Sequence, residues 1–114
     1  MGITGTGTVT DGHGGDPQER AEAIFTVIES IPRGRVLSYG DVAELAGVGS
    51  ARIVGRLLAR EGGDDLPWHR VVRADGSCAA HIRDRQVRLL RAEGVPMRGD
   101  RVDMRSARGN VGAL

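Results

Sequence analysis

Apolar residues fall on helical stripes in four stretches of this chain, and a short β-branched run interrupts them before the last. In residues 18–31 (QERAEAIFTVIESI), Ala21, Ile24, Phe25, Ile28 and Ile31 share one face, which predicts an amphipathic helix opened by Pro17 and ended by Pro32 and Gly34. Ser38 then stands as a helix N-cap, with Asp41 three positions on to complete a capping box. Val42, Leu45 and Ala46 point inward, and Gly47 closes that helix. After the turn Val48-Gly49-Ser50, the run ARIVGRLLAREGG predicts a helix capped by Ser50. Its apolar face is Val54, Leu57 and Leu58, and its other face carries Arg52, Arg56 and Arg60. Two short helices joined by a glycine-containing turn are the sequence form of a helix-turn-helix, and the Arg-lined second one is the candidate recognition helix.

Residues 66–73 (LPWHRVVR) read as a loop followed by a short strand. Ala74-Asp75-Gly76 is a turn signal, so Ser77-Cys78-Ala79 is expected to return as a second strand, making a wing. Residues 83–93 predict a final helix with Val87 and Leu90 inward and Gly94 as its stop. The expected fold is mainly α with a small β-hairpin wing, a winged helix-turn-helix-like DNA-binding domain over residues 18–100. The Gly- and Thr-rich residues 1–17 predict a flexible N-terminal tail, and residues 101–114 a C-terminal tail. No internal repeat is visible.

Composition changes this picture mainly through charge. The 114 residues suffice for one domain. Residues 1–49 hold three Arg against seven Asp or Glu, a balance of −4; residues 50–114 hold thirteen against eight, a balance of +5. An anionic partner is therefore expected on the second half. Every one of the 16 basic residues is Arg, whose planar fork suits phosphates and base stacking. The single cysteine, Cys78, excludes a disulfide framework and a Cys-rich zinc site. His13, His69 and His81 lack metal-ligand spacing, so neither metal nor cofactor is expected. No apolar run is long enough for a membrane span or a signal-peptide core, which leads to the expectation of a soluble, cytoplasmic protein.

The most specific motif is Pro67-Trp68-His69-Arg70-Val71-Val72. It resembles the Pro-Cys-His-Arg-Val motif of the O6-alkylguanine-DNA alkyltransferases, with Trp in place of Cys, which is the mark of their alkyltransferase-like branch. The segments Ile31-Pro32-x-Gly34-x-Val36-x-Ser38-Tyr39-Gly40, Ala43-x-x-Ala46-Gly47, Ala51-Arg52-x-Val54-Gly55 and Glu93-Gly94-Val95 follow in that family's order and spacing, so the resemblance spans roughly residues 20–100. In the repair enzymes a thiolate, generated by a His held by a Glu, accepts the alkyl group. His69 and Glu93 match those partners, but an indole is a hydrogen-bond donor and not a usable nucleophile.

The resemblance implies a set of site residues. Tyr39, Trp68, His69, Arg70, Val71, His81 and Arg83 would form a pocket for the lesion base, with His81 or Arg83 capping it. Ser38, Tyr39, Ser50, Ala51, Arg52, Gly55, Arg56 and Arg60 would meet DNA. Arg52 would fill the stack from the minor groove, Tyr39 would crowd the target's 3′ phosphate, and the small Ser50, Ala51 and Gly55 would let the helix lie close. Arg56 and Arg60 would take phosphates. The implied partner is duplex DNA containing O6-alkylguanine, bound by a monomer without alkyl transfer and flagged for nucleotide excision repair proteins. Two other readings stay open at this level. One is an enzyme, either a transferase working through Cys78 or a glycosylase, although a glycosylase wants a pocket carboxylate or a Lys, and Lys is absent. The other is an ordinary winged-helix transcription regulator, although no extra dimerisation helix is evident.

Overall fold

The computed structural model describes residues 16–109. The expected flexible tail lies outside them except for Asp16 and Pro17, which are the N-cap and first residue of helix α1 (Pro17–Glu29). The Asp16 carboxylate accepts from the Glu19 N–H at 2.8 Å, and Glu19 accepts in return from the Asp16 N–H, so a capping box starts the helix. Ile24 and Ile28 are buried on its inner face.

Strand β1 (Leu37–Ser38) leads straight into helix α2 (Tyr39–Ala46), and the Ser38–Asp41 capping box forms as the sequence predicts. Gly47 ends α2 at φ 73°, in the left-handed region that favours glycine. Ser50 caps helix α3 (Ala51–Glu61). A 3₁₀ turn at Trp68–Arg70 feeds strand β2 (Val71–Val72), and a second at Ala80–Ile82 feeds helix α4 (Arg83–Ala92).

β1 and β2 pair in parallel, Leu37 with Val71 and Ser38 with Val72. Their alternating side chains divide the interior between two faces. Leu37 and Val71 join Ile24, Ile28, Ile31, Val42, Val54, Leu57 and Leu66 in one cluster under the helix-turn-helix. Val36 and Val72 join Cys78, Val87, Leu90, Val95, Val102 and Ala107 in the other.

The expected wing over residues 71–79 does not form. The edge of Val71–Val72 is taken by β1, and the Asp75 carboxylate turns the chain back by accepting from the Ser77 N–H and Oγ–H. The Ala74–Gly76 turn is present, but residues 77–79 are not a strand. The small antiparallel pair is instead β3 (Met97–Arg98) with β4 (Arg101–Val102). Val102 donates its N–H to the Gly76 carbonyl at 2.9 Å, and a Cβ on Gly76 would run into the Val102 carbonyl oxygen, so only glycine allows this approach.

The expected C-terminal tail is also corrected up to residue 109. Beyond β4, a short helix α5 (Met104–Ala107) packs down, with Ala107 fully buried. Val36 donates to the Ala107 carbonyl and Gly109 donates to the Val36 carbonyl, which extends the parallel pairing by one bridge at Arg108. The Arg108 guanidinium forks onto the Asp41 carboxylate, its Nε at 2.8 Å. The tail-like composition of residues 101–109 hid two buried apolar anchors spaced five apart, Val102 and Ala107. Residues 110–114 lie outside the described residues.

One ion cluster joins the distant parts of this fold. Glu93, next after α4, accepts from Arg70 Nε at 3.0 Å and Nη2 at 2.9 Å, from His69 Nε2 at 2.7 Å and from the Gly34 N–H at 3.2 Å. Arg70 reaches on to the Ile31 carbonyl at 2.9 Å. Burial alone opposes ionisation of Glu93, whose side chain is 6% exposed, but the hydrogen bonds from Arg70, His69 and Gly34 outweigh it and hold the carboxyl at about 2. A depressed folded-state value means that this stabilisation is complete above the ordinary carboxyl range and is lost as pH falls toward 2. Glu93→Gln is therefore expected to lower unfolding free energy at neutral pH by about 2–3 kcal/mol, since it leaves the Arg70 charge without its anion. Urea denaturation at pH 7 and pH 3 checks this: the gap between parent and variant should narrow at the lower pH, and an equal gap at both would contradict the assignment.

Candidate nucleic-acid interface

Helix α3 separates two hollows. On one flank, Gly55, Leu58, Ala59 and Gly62 form one side of an open pocket of about 270 Å³. Tyr39, Trp68, His81, Ile82 and Arg85 line it opposite. On the other flank, Arg56 and Arg60 border a groove shared with Arg20, Ile24, Ile53 and Leu57. Alternation around a helix accounts for the split, because neighbouring residues diverge by about 100°. Arg52 sits in the first turn of α3, exposed, and its N–H donates to the Ser50 Oγ at 3.0 Å. Ala51 and Ser50 are exposed beside it, and Gly55 is half-buried in the pocket wall.

Trp68 is the key side chain of the pocket. It belongs to neither apolar cluster and is half-buried, so the indole is a wall and not part of the interior. Its ring meets the His69 ring edge-on, with centroids 6.0 Å apart and planes at 86°. Arg85 lies over the indole with its guanidinium carbon 5.4 Å from the ring centroid, and Asp64 holds that guanidinium at 2.7 Å. The backbone below is pinned by Gln86, whose buried amide donates to the His69 carbonyl at 3.0 Å and the Val71 carbonyl at 2.9 Å. An indole face, a phenol and an aliphatic floor from Leu58 and Ile82 make a slot suited to one flat aromatic guest.

The expected pocket residues divide accordingly. Tyr39, Trp68 and His81 line the pocket. Tyr39 also packs on the first cluster; burial raises its phenol pKa, and Arg73 pulls weakly the other way. His69 and Arg70 are turned onto Glu93 beneath the loop, and Val71 is fully buried. These three support the pocket without lining it. Arg83 does not line it either: two helical positions correspond to about 200°, so Arg85 takes the place expected of Arg83. Ser38 is buried as the α2 cap and faces a different groove.

Arg85, Asp64 and Gln86 were not foreseen from the sequence. The inward Val87 and Leu90 fix the phase of α4 and thus put Arg85 on an exposed side, but its closeness to Trp68 is a tertiary fact. Cys78 is 1% exposed, and burial raises its thiol pKa, the opposite of what a nucleophile needs. Among the described residues no group of His, Cys, Asp and Glu could hold a metal ion, and no helix is long and apolar enough to cross a membrane.

Known proteins match this arrangement. Residues 19–95 match the family described as 6-O-methylguanine DNA methyltransferase, DNA binding domain. A DNA base-flipping protein of Escherichia coli (strain K12) is 42% identical over 94 residues, covering 78% of this chain and 73% of that protein. A DNA base-flipping protein of Vibrio parahaemolyticus is 45% identical over 76 residues, covering 63% of this chain and 76% of that protein. The crystal structure of S. pombe Atl1 in complex with damaged DNA containing O6-carboxymethylguanine superposes with a TM-score of 0.74 at 24% identity, covering 83% of this chain and 98% of that one, a likeness of fold. With its helix-turn-helix, its Pro-Trp-His-Arg loop and its Glu93 anchor inside the matched span, this chain belongs to the O6-methylguanine-DNA methyltransferase DNA-binding-domain family.

Proposed function

We propose that this chain binds duplex DNA carrying an O6-alkylated guanine, takes that base out of the stack into the pocket beside Trp68, and holds it without transferring the alkyl group. One observation carries the reading: a half-buried indole lines an open pocket at the motif position where the family's repair enzymes hold their thiol. The family membership and the base-flipping relatives support it.

The residues divide the work. Arg56 and Arg60 neutralise backbone phosphates, and Ser50, Ala51 and Gly55 leave room for the duplex beside α3. Arg52, whose guanidinium makes no ion pair with a described residue, enters the stack and fills the gap left by the everted nucleotide. Tyr39 crowds the backbone at the pocket mouth. The base then slides along Trp68, and Arg85 and His81 close over it. No bond is made or broken. His69 and Glu93 keep the spacing of a thiol-activating pair, but the indole N–H of Trp68 is far too weak an acid for that pair to deprotonate, and their hydrogen bond serves to hold the loop. A bound lesion that is not removed must pass to another process; excision repair, met by a monomer on chromosomal DNA in the cytoplasm, is the downstream step of this proposal.

Binding constants on an O6-methylguanine duplex and its unmodified twin test it. The modified duplex should bind at least tenfold tighter; equal affinity would overturn the reading in favour of an ordinary winged-helix regulator. Arg52→Ala should weaken both duplexes alike by roughly tenfold or more. Trp68→Ala should reduce mainly the preference, by about fivefold to a hundredfold, the range for losing one base–aromatic stack. Arg85→Ala should lower the preference by about twofold to fivefold, as expected for an exposed cation–π contact.

A further inference from the structure

Residues 97–109 lie beyond the matched family span, yet they pack on the element that carries Tyr39. Between them and the start of α2 is a groove of about 420 Å³, lined by Ser38, Asp41, Ala74, Met104, Arg105 and Arg108. Its charges are unevenly matched. Asp41, the one carboxylate in the wall, accepts the Arg108 fork and the Ser38 N–H. The Arg105 guanidinium is exposed and makes no ion pair or hydrogen bond with a described residue. Arg73, next to Ala74 and also exposed, adds a second positive charge at the edge. Asp75 is engaged with Ser77 and lies 3.8 Å from Arg101, and Asp103 is engaged in capping α5.

The groove and the base pocket are lined by neighbouring residues of the chain. Ser38 lines the groove and Tyr39, the next residue, lines the pocket. Consecutive Cα atoms are about 3.8 Å apart, so the two hollows are joined at adjacent residues of the chain. Arg108 fixes this relation. It ties the turn bearing Arg105 to the N-terminus of α2, and Arg35 adds a hydrogen bond to the Ser106 carbonyl at 2.7 Å.

We propose that this groove is a seat for a DNA backbone phosphate, in which Arg105 takes a phosphate of the strand whose base enters the Trp68 pocket. Arg108 is the positioning residue that sets Arg105 beside Tyr39. The inference rests on the DNA-binding reading above and adds a contact from outside the family's matched span.

The test is the salt dependence of binding to the O6-methylguanine duplex between 50 and 200 mM salt, with the unmodified duplex in parallel. Each phosphate contact contributes about 0.9 to the slope of log affinity against log salt. Arg105→Gln should reduce the slope by about that amount, so that the affinity lost over this range is about three- to fourfold smaller than for the parent. The ratio of affinities for the two duplexes should not change, and Arg105→Lys should restore the slope. Arg33→Gln removes an equal charge from the Glu93 side of the molecule and should leave the slope intact. An unchanged slope for Arg105→Gln, or an equal fall for Arg33→Gln, overturns the seat. A parent that binds both duplexes equally overturns the lesion reading alone, since the slope is still measurable; a parent that binds neither overturns both.

Discussion

The structure depends on one buried carboxylate. Glu93 gathers Arg70, His69 and the Gly34 backbone, and through Arg70 it reaches the end of the segment after α1. Three pieces of chain far apart in sequence therefore meet at a single charge. That charge persists because its donors are forked and nearly complete; burial alone would push the carboxyl the other way, toward its neutral form. The consequence for the site is geometric. With His69 and Arg70 held from beneath and Gln86 holding the carbonyls beside them, the backbone that carries Trp68 is braced, and its indole stands edge-on to the His69 ring.

The proposed binding role gives the His–Glu pair a purely structural use. The two residues are in hydrogen-bond contact at 2.7 Å, and in that proposal the contact braces the loop. The chain's one thiol is sealed in the second apolar cluster on the far side of the parallel strands. What the site offers is surface: an indole face, a phenol and a guanidinium around a hollow sized for one base. Recognition without turnover suits such a site, because tight holding costs nothing when no product has to leave.

Most of the helical frame was legible in the sequence. The Asp41 capping box, the Ser50 cap and the left-handed Gly47 are local chemistry, and local chemistry is written in short stretches. The tie between His69 and Glu93 came from resemblance, and the structure contains it. The misplaced wing shows the limit. Ala74–Gly76 does turn, but which strand answers it depends on Val102, some 26 residues later. The exchange of Arg83 for Arg85 has the same cause, since helix phase could be read while the neighbour across the pocket could not. The C-terminal clasp on Asp41 was invisible because a polar, Arg-rich stretch resembles a tail until its two apolar anchors find a surface.

The central claim, a flipped lesion resting on an indole with no covalent step, has a direct reporter, since Trp68 is the chain's single tryptophan. Its fluorescence can be followed as an O6-methylguanine duplex is added, with the intact protein mass measured at saturation. The account predicts a saturable change in Trp68 emission, much smaller with unmodified duplex at the same occupancy, and an unaltered protein mass. Emission that responds identically to both duplexes, or a protein that gains the mass of the methyl group, would contradict it.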